Sequence, residues 1–252
     1  MRIYQNAYEL MSEMGRDLWE MGKIVKPKTY QNKVIEGDET MQTRELISEQ
    51  YCLMGLPDPK WLFIFSQCRT WANAELKERL YGNEQTNPGE AWKLRMDMWE
   101  QFLTADGKFD YTYPERLHRI VDEDGNNNLD SVIQLLKDDP DTRKAVISIY
   151  EPHIDAQYYD GSHRIPCSMY YDFLIREGRL NIVYHQRSSD YVQHFGDDVY
   201  LAWRLMEYVA EQVGIQPGYL YHCIDSLHSY RKDWWRLKTE IDDFEMDATD
   251  IN

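Results

Sequence analysis

The first residue with reactive potential is Cys167, in RIPCSMYYDF, where Pro166 precedes it at a junction between loop and extended chain. Its expected surroundings are basic: Arg187 and Ser188 follow the adjacent strand-like segment, and Arg143 precedes the first one. The thiolate is the nucleophilic form of cysteine, and a cationic neighbourhood favours it. Most cysteines are small buried hydrophobes, which is the reading for Cys52, Cys68 and Cys223. These residues offer a cysteine nucleophile beside an arginine-rich anion site, without naming a substrate. A hydrolase pairing Cys167 with His228 or His163 is a competing enzyme class, and a catalytically silent nucleotide-binding or interaction protein is a third.

The elements that must hold these side chains follow from periodicity. Tyr4, Ala7, Tyr8, Met11, Met14 and Leu18 recur at helical spacing, and TWANAELKERLYG (70–82) reads as a helix closed by Gly82. Between them, KIVKPKTYQNKVIEGDE suggests loop and short strand. The turn cluster DEDGNNN (122–128) leads to a helix, LDSVIQLLKDD, ended by Pro140. KAVISIY (144–150) alternates as a strand, and SMYYDFLIREGRLNIVYHQR reads as two strands joined at Glu177-Gly178. Val199, Ala202, Met206, Val209 and Val213 form the stripe of a helix that Gly214 ends, and YLYHCI (219–224) is a further strand. With no repeat and no flexible linker, the expectation is one α+β domain over residues 1–252.

Composition excludes several classes. The 252 residues carry 28 basic against 44 acidic side chains, a net charge of −16, so the average field repels nucleic-acid polymers and anionic membranes. Six acids and no base lie in a tail at about 239–252, and the remainder is still at −10. No apolar run is long enough to span a bilayer, and the acid-containing start is unlike a signal peptide. Four scattered cysteines give neither a zinc motif nor a disulfide framework, so the expectation is a soluble, cytoplasmic protein without a metal.

Five segments, in order, then match a known family. ELKERLYG (75–82) looks like the ELLWFLRG of thymidylate synthases, and DPDTRKAVIS (139–148) like their DPDSRR-strand segment. IPC (165–167) is similar to their PPC, YHQRSSD (184–190) to YQRSxD, and SLHSY (226–230) to (D/S)xHxY. Residues 75–232 thus resemble thymidylate synthases and their relatives, the phage deoxycytidylate hydroxymethylases. The first seventy residues and the tail lack landmarks.

The resemblance implies a thymidylate synthase-like α+β fold, with a mixed sheet packed by helices and forming a homodimer interface. It implies 5,10-methylenetetrahydrofolate as cosubstrate and a nucleoside monophosphate as substrate. Cys167 would add to C6 of the pyrimidine and make C5 a carbon nucleophile. Glu75 would relay protons through water, and Tyr113, in YTYPE, would assist removal of the C5 proton, although Pro114 replaces the family's glycine. Gln186, Arg187 and Ser188 fall in the substrate site, with the guanidinium and hydroxyl on the 5′-phosphate. Arg143 and Lys144 would reach the same phosphate from the partner subunit, Lys144 standing where the family has arginine. His228 and Tyr230 would contact the ribose hydroxyl, their i, i+2 spacing placing both on one side if extended. Lys28 is the expected N-terminal phosphate ligand, with Lys33 as competitor. Asp190 would face the pterin, Trp92 would be the folate-side tryptophan, and His194 replaces a common glycine.

Asp198 is the discriminating position, because the resemblance places it where uracil-using synthases carry asparagine. Cytosine offers an N4 amino donor and an N3 acceptor, the reverse of uracil. An aspartic acid accepts from N4 and, when protonated, donates to N3; burial beside Asp197 raises a carboxyl pKa in that direction. The competing reading is that Asp197 or Asp198 caps the following helix. Ser226 stands where synthases usually have aspartate, and EMDATDIN does not resemble their apolar closing tail. Both favour addition of water over hydride transfer, and with Asp198 they point to cytidylate hydroxymethylation. Anionic ligands on an acidic protein then require Arg143, Lys144 and Arg187 to make a local positive site.

Overall fold

The computed structural model describes residues 1–65, 68–158 and 161–249. Its strands are β1 (Arg2–Tyr4), β2 (Lys23–Val25), β3 (Thr29–Tyr30), β4 (Lys33–Val34), β5 (Thr43–Leu53), β6 (Val146–Ser148), β7 (Ser168–Arg176), β8 (Arg179–Gln186), β9 (Ser189–Asp190) and β10 (Gln216–Tyr230). The helices are α1 (Ala7–Met21), α2 (Arg69–Tyr81), α3 (Met96–Trp99), α4 (Tyr113–Leu117), α5 (Asn128–Asp138), α6 (Pro152–Asp155), α7 (Gly196–Val213) and α8 (Trp234–Thr249), with short 3₁₀ turns between them. One mixed sheet runs β1-β5-β10-β8-β7-β6, with β2 added on β5 and β9 on β10; β3 and β4 pair separately. The fold is α+β, as expected.

The β7–β8 hairpin sets the register of the site. Glu177 and Gly178 both have positive φ, 53° and 71°, and this is the backbone that a two-residue turn between twisted strands requires. The register carries Tyr171 opposite Tyr184, and Tyr184 opposite His222 on β10, which in turn faces Tyr51 on β5. The rings of Tyr171 and Tyr184 stack at 4.6 Å, and those of Tyr184 and His222 at 4.5 Å. Leu180, Ile182, Phe173, Leu220 and Ile224 share that buried face, each burial being worth roughly 1.5–3 kcal/mol. On the opposite face Tyr170, Asp172, Val183, His185, Tyr221 and Cys223 are only half-buried.

Several boundaries differ from expectation. Tyr4 belongs to β1, because Asn6 caps α1 and starts the helix at Ala7. β10 continues past Ile224 to Tyr230, so SLHSY is strand. β5, which the sequence reading leaves unassigned, is a central strand. Its burial alternates poorly around Ser48, where φ is 60°. The acidic tail begins inside α8, whose Leu237 and Ile241 are buried as the helix packs on α1; residues 250–252 lie outside the described residues. Among the described residues no helix is long and apolar enough to cross a membrane.

At the start of α7, Gly196 lets the helix cross the Leu62 backbone. A Cβ there would lie 1.8 Å from the Leu62 carbonyl oxygen, which is main chain and cannot rotate away. Gly196→Ala is expected to cost about 2–3 kcal/mol by overpacking, read as a lower urea midpoint. An unchanged midpoint would show that this crossing is not tight.

Candidate active site

The end of the β7–β8 hairpin brings Cys167 to Arg187. Cys167 immediately precedes β7 and Arg187 follows β8, and the Arg187 amide donates to the Cys167 carbonyl at 2.9 Å. The guanidinium turns back on the same loop. Its Nε donates to the Pro166 carbonyl and its Nη2 to that of Ile165, both at 2.8 Å, and Nη2 lies 3.9 Å from Cys167 Sγ. The sulfur is the largest influence raising the Arg187 pKa, so this guanidinium stays charged. From the β3–β4 hairpin, Gln31 Nε2 reaches within 3.8 Å of Sγ, at a turn position with φ 54°. No histidine hydrogen-bonds to the sulfur among the described residues, which leaves the hydrolase pairing of Cys167 with His228 or His163 without geometric support.

Asp198 ends a directed hydrogen-bond chain. Gln186 Nε2 donates to Asp198 Oδ2 at 2.8 Å, while Gln186 Oε1 accepts from His222 Nε2 at 2.8 Å. His222 therefore carries its proton on Nε2, and its Nδ1 accepts from the Tyr51 hydroxyl at 2.8 Å. Burial pushes His222 down to about 3, so the imidazole is neutral and the direction of the chain is fixed. With Oδ2 accepting from Gln186, and from Ser189 Oγ at 3.4 Å, Oδ1 is the atom left to carry a proton. Burial raises the Asp198 pKa to about 6. The helix-cap reading fails for both acids. Asp190 Oδ1 instead caps this end by accepting from Val192 and Gln193 amides, and Asp197 takes a 2.9 Å ion pair from Arg95.

These groups open on a cavity of about 600 Å³. Cys167, Glu75, Tyr113, Asp198, Arg187, Ser188, His228, Tyr230, Asp190 and Trp92 all line it. Glu75 projects from α2 and accepts from Arg79 Nε at 2.8 Å, one turn on, while the Arg79 guanidinium sits over the Tyr113 ring at 4.1 Å. Burial holds Tyr113 well above the ordinary phenol range, so its hydroxyl stays protonated. Pro114 is accommodated because it starts α4, behind a Thr112–Glu115 capping box. His228 and Tyr230 do project to one side of β10, ring centroids 5.2 Å apart, and burial pushes His228 down to about 4. Asp190 is raised to about 7 by burial and by Asp233.

Other expected residues sit elsewhere. Gln186 is fully buried beneath Asp198 and does not line the cavity, so it reaches the site only through that carboxyl. Lys28 is exposed and paired with Glu36 at 2.9 Å, and Lys33 donates to Gln101 at 2.8 Å; neither lines the cavity, because the hairpin tip presents Gln31 there instead. Arg143 and Lys144 are exposed and outside their own chain's cavity. Sequence reasoning passed over Arg164, Tyr30, Tyr111 and Glu45, all in the wall. Arg164 had a visible signal, a basic residue three before the cysteine. Glu45 had none, since its strand was not recognised; it accepts from Ser226 Oγ across the β5–β10 pairing. No group of three or more His, Cys, Asp or Glu among the described residues is arranged to hold a metal ion.

Known proteins resemble this chain to different depths. A putative thymidylate synthase of Methanosarcina barkeri is 34% identical over 129 residues, covering 50% of this chain and 55% of that protein. A deoxyuridylate hydroxymethyltransferase of Bacillus phage SP01 is 34% identical over 140 residues, covering 52% of this chain and 36% of that one. The chain thus spans only about half, or less, of these relatives' length. The thermostable thymidylate synthase A of Bacillus subtilis superposes with a TM-score of 0.72 at 18% identity, covering 94% of this chain and 84% of that one, which establishes the fold. The thymidylate synthase family model matches residues 69–250, containing Glu75, Cys167, Arg187 and Asp198, and the chain belongs to that family.

Proposed function

We propose that the protein transfers a one-carbon unit from 5,10-methylenetetrahydrofolate to C5 of a cytidine monophosphate nucleotide, deoxycytidylate first, and that water completes the product as a hydroxymethyl group. The single observation that carries the choice of base is Asp198, a half-buried carboxyl raised to about 6 whose Oδ2 is engaged by Gln186 Nε2. Oδ1–H then donates to cytosine N3 while Oδ2 accepts from N4. A uracil N3–H would meet that proton head-on.

The residues divide the work as follows. The Cys167 sulfur bonds to C6, the C5–C6 π pair shifts toward N3, and N3 takes the Asp198 proton, which leaves C5 an enamine carbon. Arg187 Nη2 sits beside the sulfur throughout and, with Ser188, offers the phosphate its donors. C5 forms its new bond and loses its proton, for which Glu75, fixed by Arg79, offers a path through water. The carrier then leaves as tetrahydrofolate, its nitrogen taking the C–N bonding pair and a proton, which leaves an exocyclic methylene at C5. Water adds to that carbon, and loss of the sulfur from C6, with N3 returning its proton to Asp198, restores the ring. The methyl alternative needs hydride at that same carbon; Ser226 and the polar ending favour hydration. Methylenetetrahydrofolate supplies the carbon at the oxidation level of formaldehyde. An aromatic heterocycle suits the wall, where Trp92 and Trp99 have buried indole N–H groups without partners.

A homodimer completes this reading, with the half-buried sheet face meeting its copy and Arg143 and Lys144 delivered to the partner's phosphate. Uridylate is the second reading, favoured by the name of the phage relative.

The enzyme incubated with methylenetetrahydrofolate and dCMP is expected to give a hydroxymethyl product by mass without dihydrofolate absorbance. A methyl product with dihydrofolate overturns the hydration step, and turnover of dUMP alone overturns the base assignment. Asp198→Asn is expected to shift the dCMP/dUMP ratio of kcat/KM toward dUMP by about a hundredfold, the worth of two reversed hydrogen bonds. An unchanged ratio removes Asp198 from base recognition.

The same variant tests the carboxyl without substrate. Its pKa is raised from 3.8 to about 6, so the folded state binds this proton more tightly than the unfolded chain does. That contribution is complete below about pH 4 and is lost as pH rises through about 6. The stability of wild type relative to Asp198→Asn is therefore expected to fall by roughly 2 kcal/mol between about pH 4 and pH 7, followed by urea unfolding. A flat difference would mean that Asp198 is solvated.

A further inference from the structure

Four arginines among the described residues are less than a tenth exposed: Arg79, Arg95, Arg116 and Arg164. Three have carboxylate partners. Arg79 pairs with Glu75, Arg95 with Asp197, and Arg116 with both Glu151 and Asp155, at 2.7–2.9 Å. Among the described residues Arg164 has no carboxylate partner, and its Nε is buried without a hydrogen bond. The neighbouring carboxylate, Asp110, is spent on the Arg164 backbone amide at 2.8 Å. What surrounds the guanidinium is aromatic: Phe102 at 4.7 Å, Tyr111 at 5.2 Å, Trp99 at 5.3 Å and Phe109 at 5.9 Å from the ring centroids. Ring faces offset part of the desolvation of a cation, but a buried charge without a counter-ion remains costly. The Arg164 side chain lines the cavity, so the missing anion has a route in.

We infer that Arg164 is an anion-recognising residue on the aromatic side of the cavity, taking a carboxylate of the one-carbon carrier, the glutamyl group of a benzoyl-glutamate tail. The inference rests on the folate-dependent reading above and deepens it. A nucleotide phosphate is the other anion at hand, but Arg187 and Ser188 already offer it donors beside Cys167. The Arg164 end is built from Trp99, Phe102 and Phe109, with Trp92 packed edge-on against Phe109 at 6.1 Å. Such a wall suits a flat benzoyl ring carrying a carboxylate better than a hydrated phosphate. Of the neighbouring titratable groups, His194 stands 5.6 Å from the Trp99 ring and is held neutral by burial, Arg95 and Arg164, so it adds no second positive charge beside Arg164.

The test compares p-aminobenzoylglutamate with p-aminobenzoate, both followed by quenching of tryptophan fluorescence in the full-length protein. Wild type is expected to bind the glutamyl compound about tenfold more tightly, the worth of one charge-assisted contact. Arg164→Leu is expected to erase that preference and Arg164→Lys to restore most of it. In turnover, Arg164→Leu is expected to raise KM for methylenetetrahydrofolate about tenfold and leave KM for the nucleotide within about twofold. If Arg164→Leu does not fold, Arg164→Gln takes its place. Equal preference in wild type and variant overturns the inference while the folate reading stands, and a rise in nucleotide KM instead assigns Arg164 to the phosphate and overturns it. A wild type that neither binds the glutamyl compound nor turns over the carrier overturns both.

Discussion

The site depends on one constraint, the closure of the β7–β8 hairpin by Arg187. The same side chain holds two carbonyls of the loop before Cys167 and stands next to the sulfur, so the position of Cys167 and its electrostatic surroundings cannot vary independently. The backbone bond between Arg187 and Cys167 extends the ladder one step beyond the strands. Everything that sets strand register, from the left-handed Glu177-Gly178 turn to the aromatic row Tyr171–Tyr184–His222, therefore also places the Cys167 sulfur. A one-residue slip would turn Gln186 from the core to the opposite face and leave Asp198 without its donor.

The second dependence is of charge on burial. Hydrogen bonds run one way from Tyr51 through His222 and Gln186 to Asp198, which fixes which carboxyl oxygen can hold a proton. The low pKa of His222 and the raised pKa of Asp198 have the same cause, removal from water, acting on groups of opposite charge type. In a protein of net charge −16 the interior cations are placed individually. Arg79 and Arg95 are neutralised by their own carboxylates; Arg187 and Arg164 are not.

Much of this was legible in the sequence where pattern and chemistry coincide. The β7–β8 hairpin, α7 with Gly214 at its end, and the neighbourhood of Cys167, Arg187 and Ser188 all follow from period and turn residues. Asp198 was singled out through the resemblance, which places it where uracil-using synthases carry asparagine. What could not be read depends on long-range pairing. β5 lacks clean alternation because Ser48 kinks it, so Glu45 and its contact with Ser226 were invisible. Gln186 looks like a ligand when read beside Arg187, yet strand alternation points it into the core. Lys28 and Lys33 drew attention as charges, whereas the two-residue turn carries the neutral Gln31 to the sulfur. A lone arginine before Cys167 gives no hint that four rings will surround it.

The central claim is that Cys167, held by Arg187, is the atom that bonds to the base. A 5-fluoro nucleotide reports this directly, because fluorine at C5 cannot leave as the proton does and the adduct stalls. Intact-protein mass and peptide mapping after incubation with 5-fluoro-dCMP and methylenetetrahydrofolate are expected to show one nucleotide with the methylene carrier still bonded to its C5, on the peptide containing Cys167. Labelling of Cys52, Cys68 or Cys223 instead, or turnover of dCMP by Cys167→Ser within about tenfold of wild type, would contradict the account.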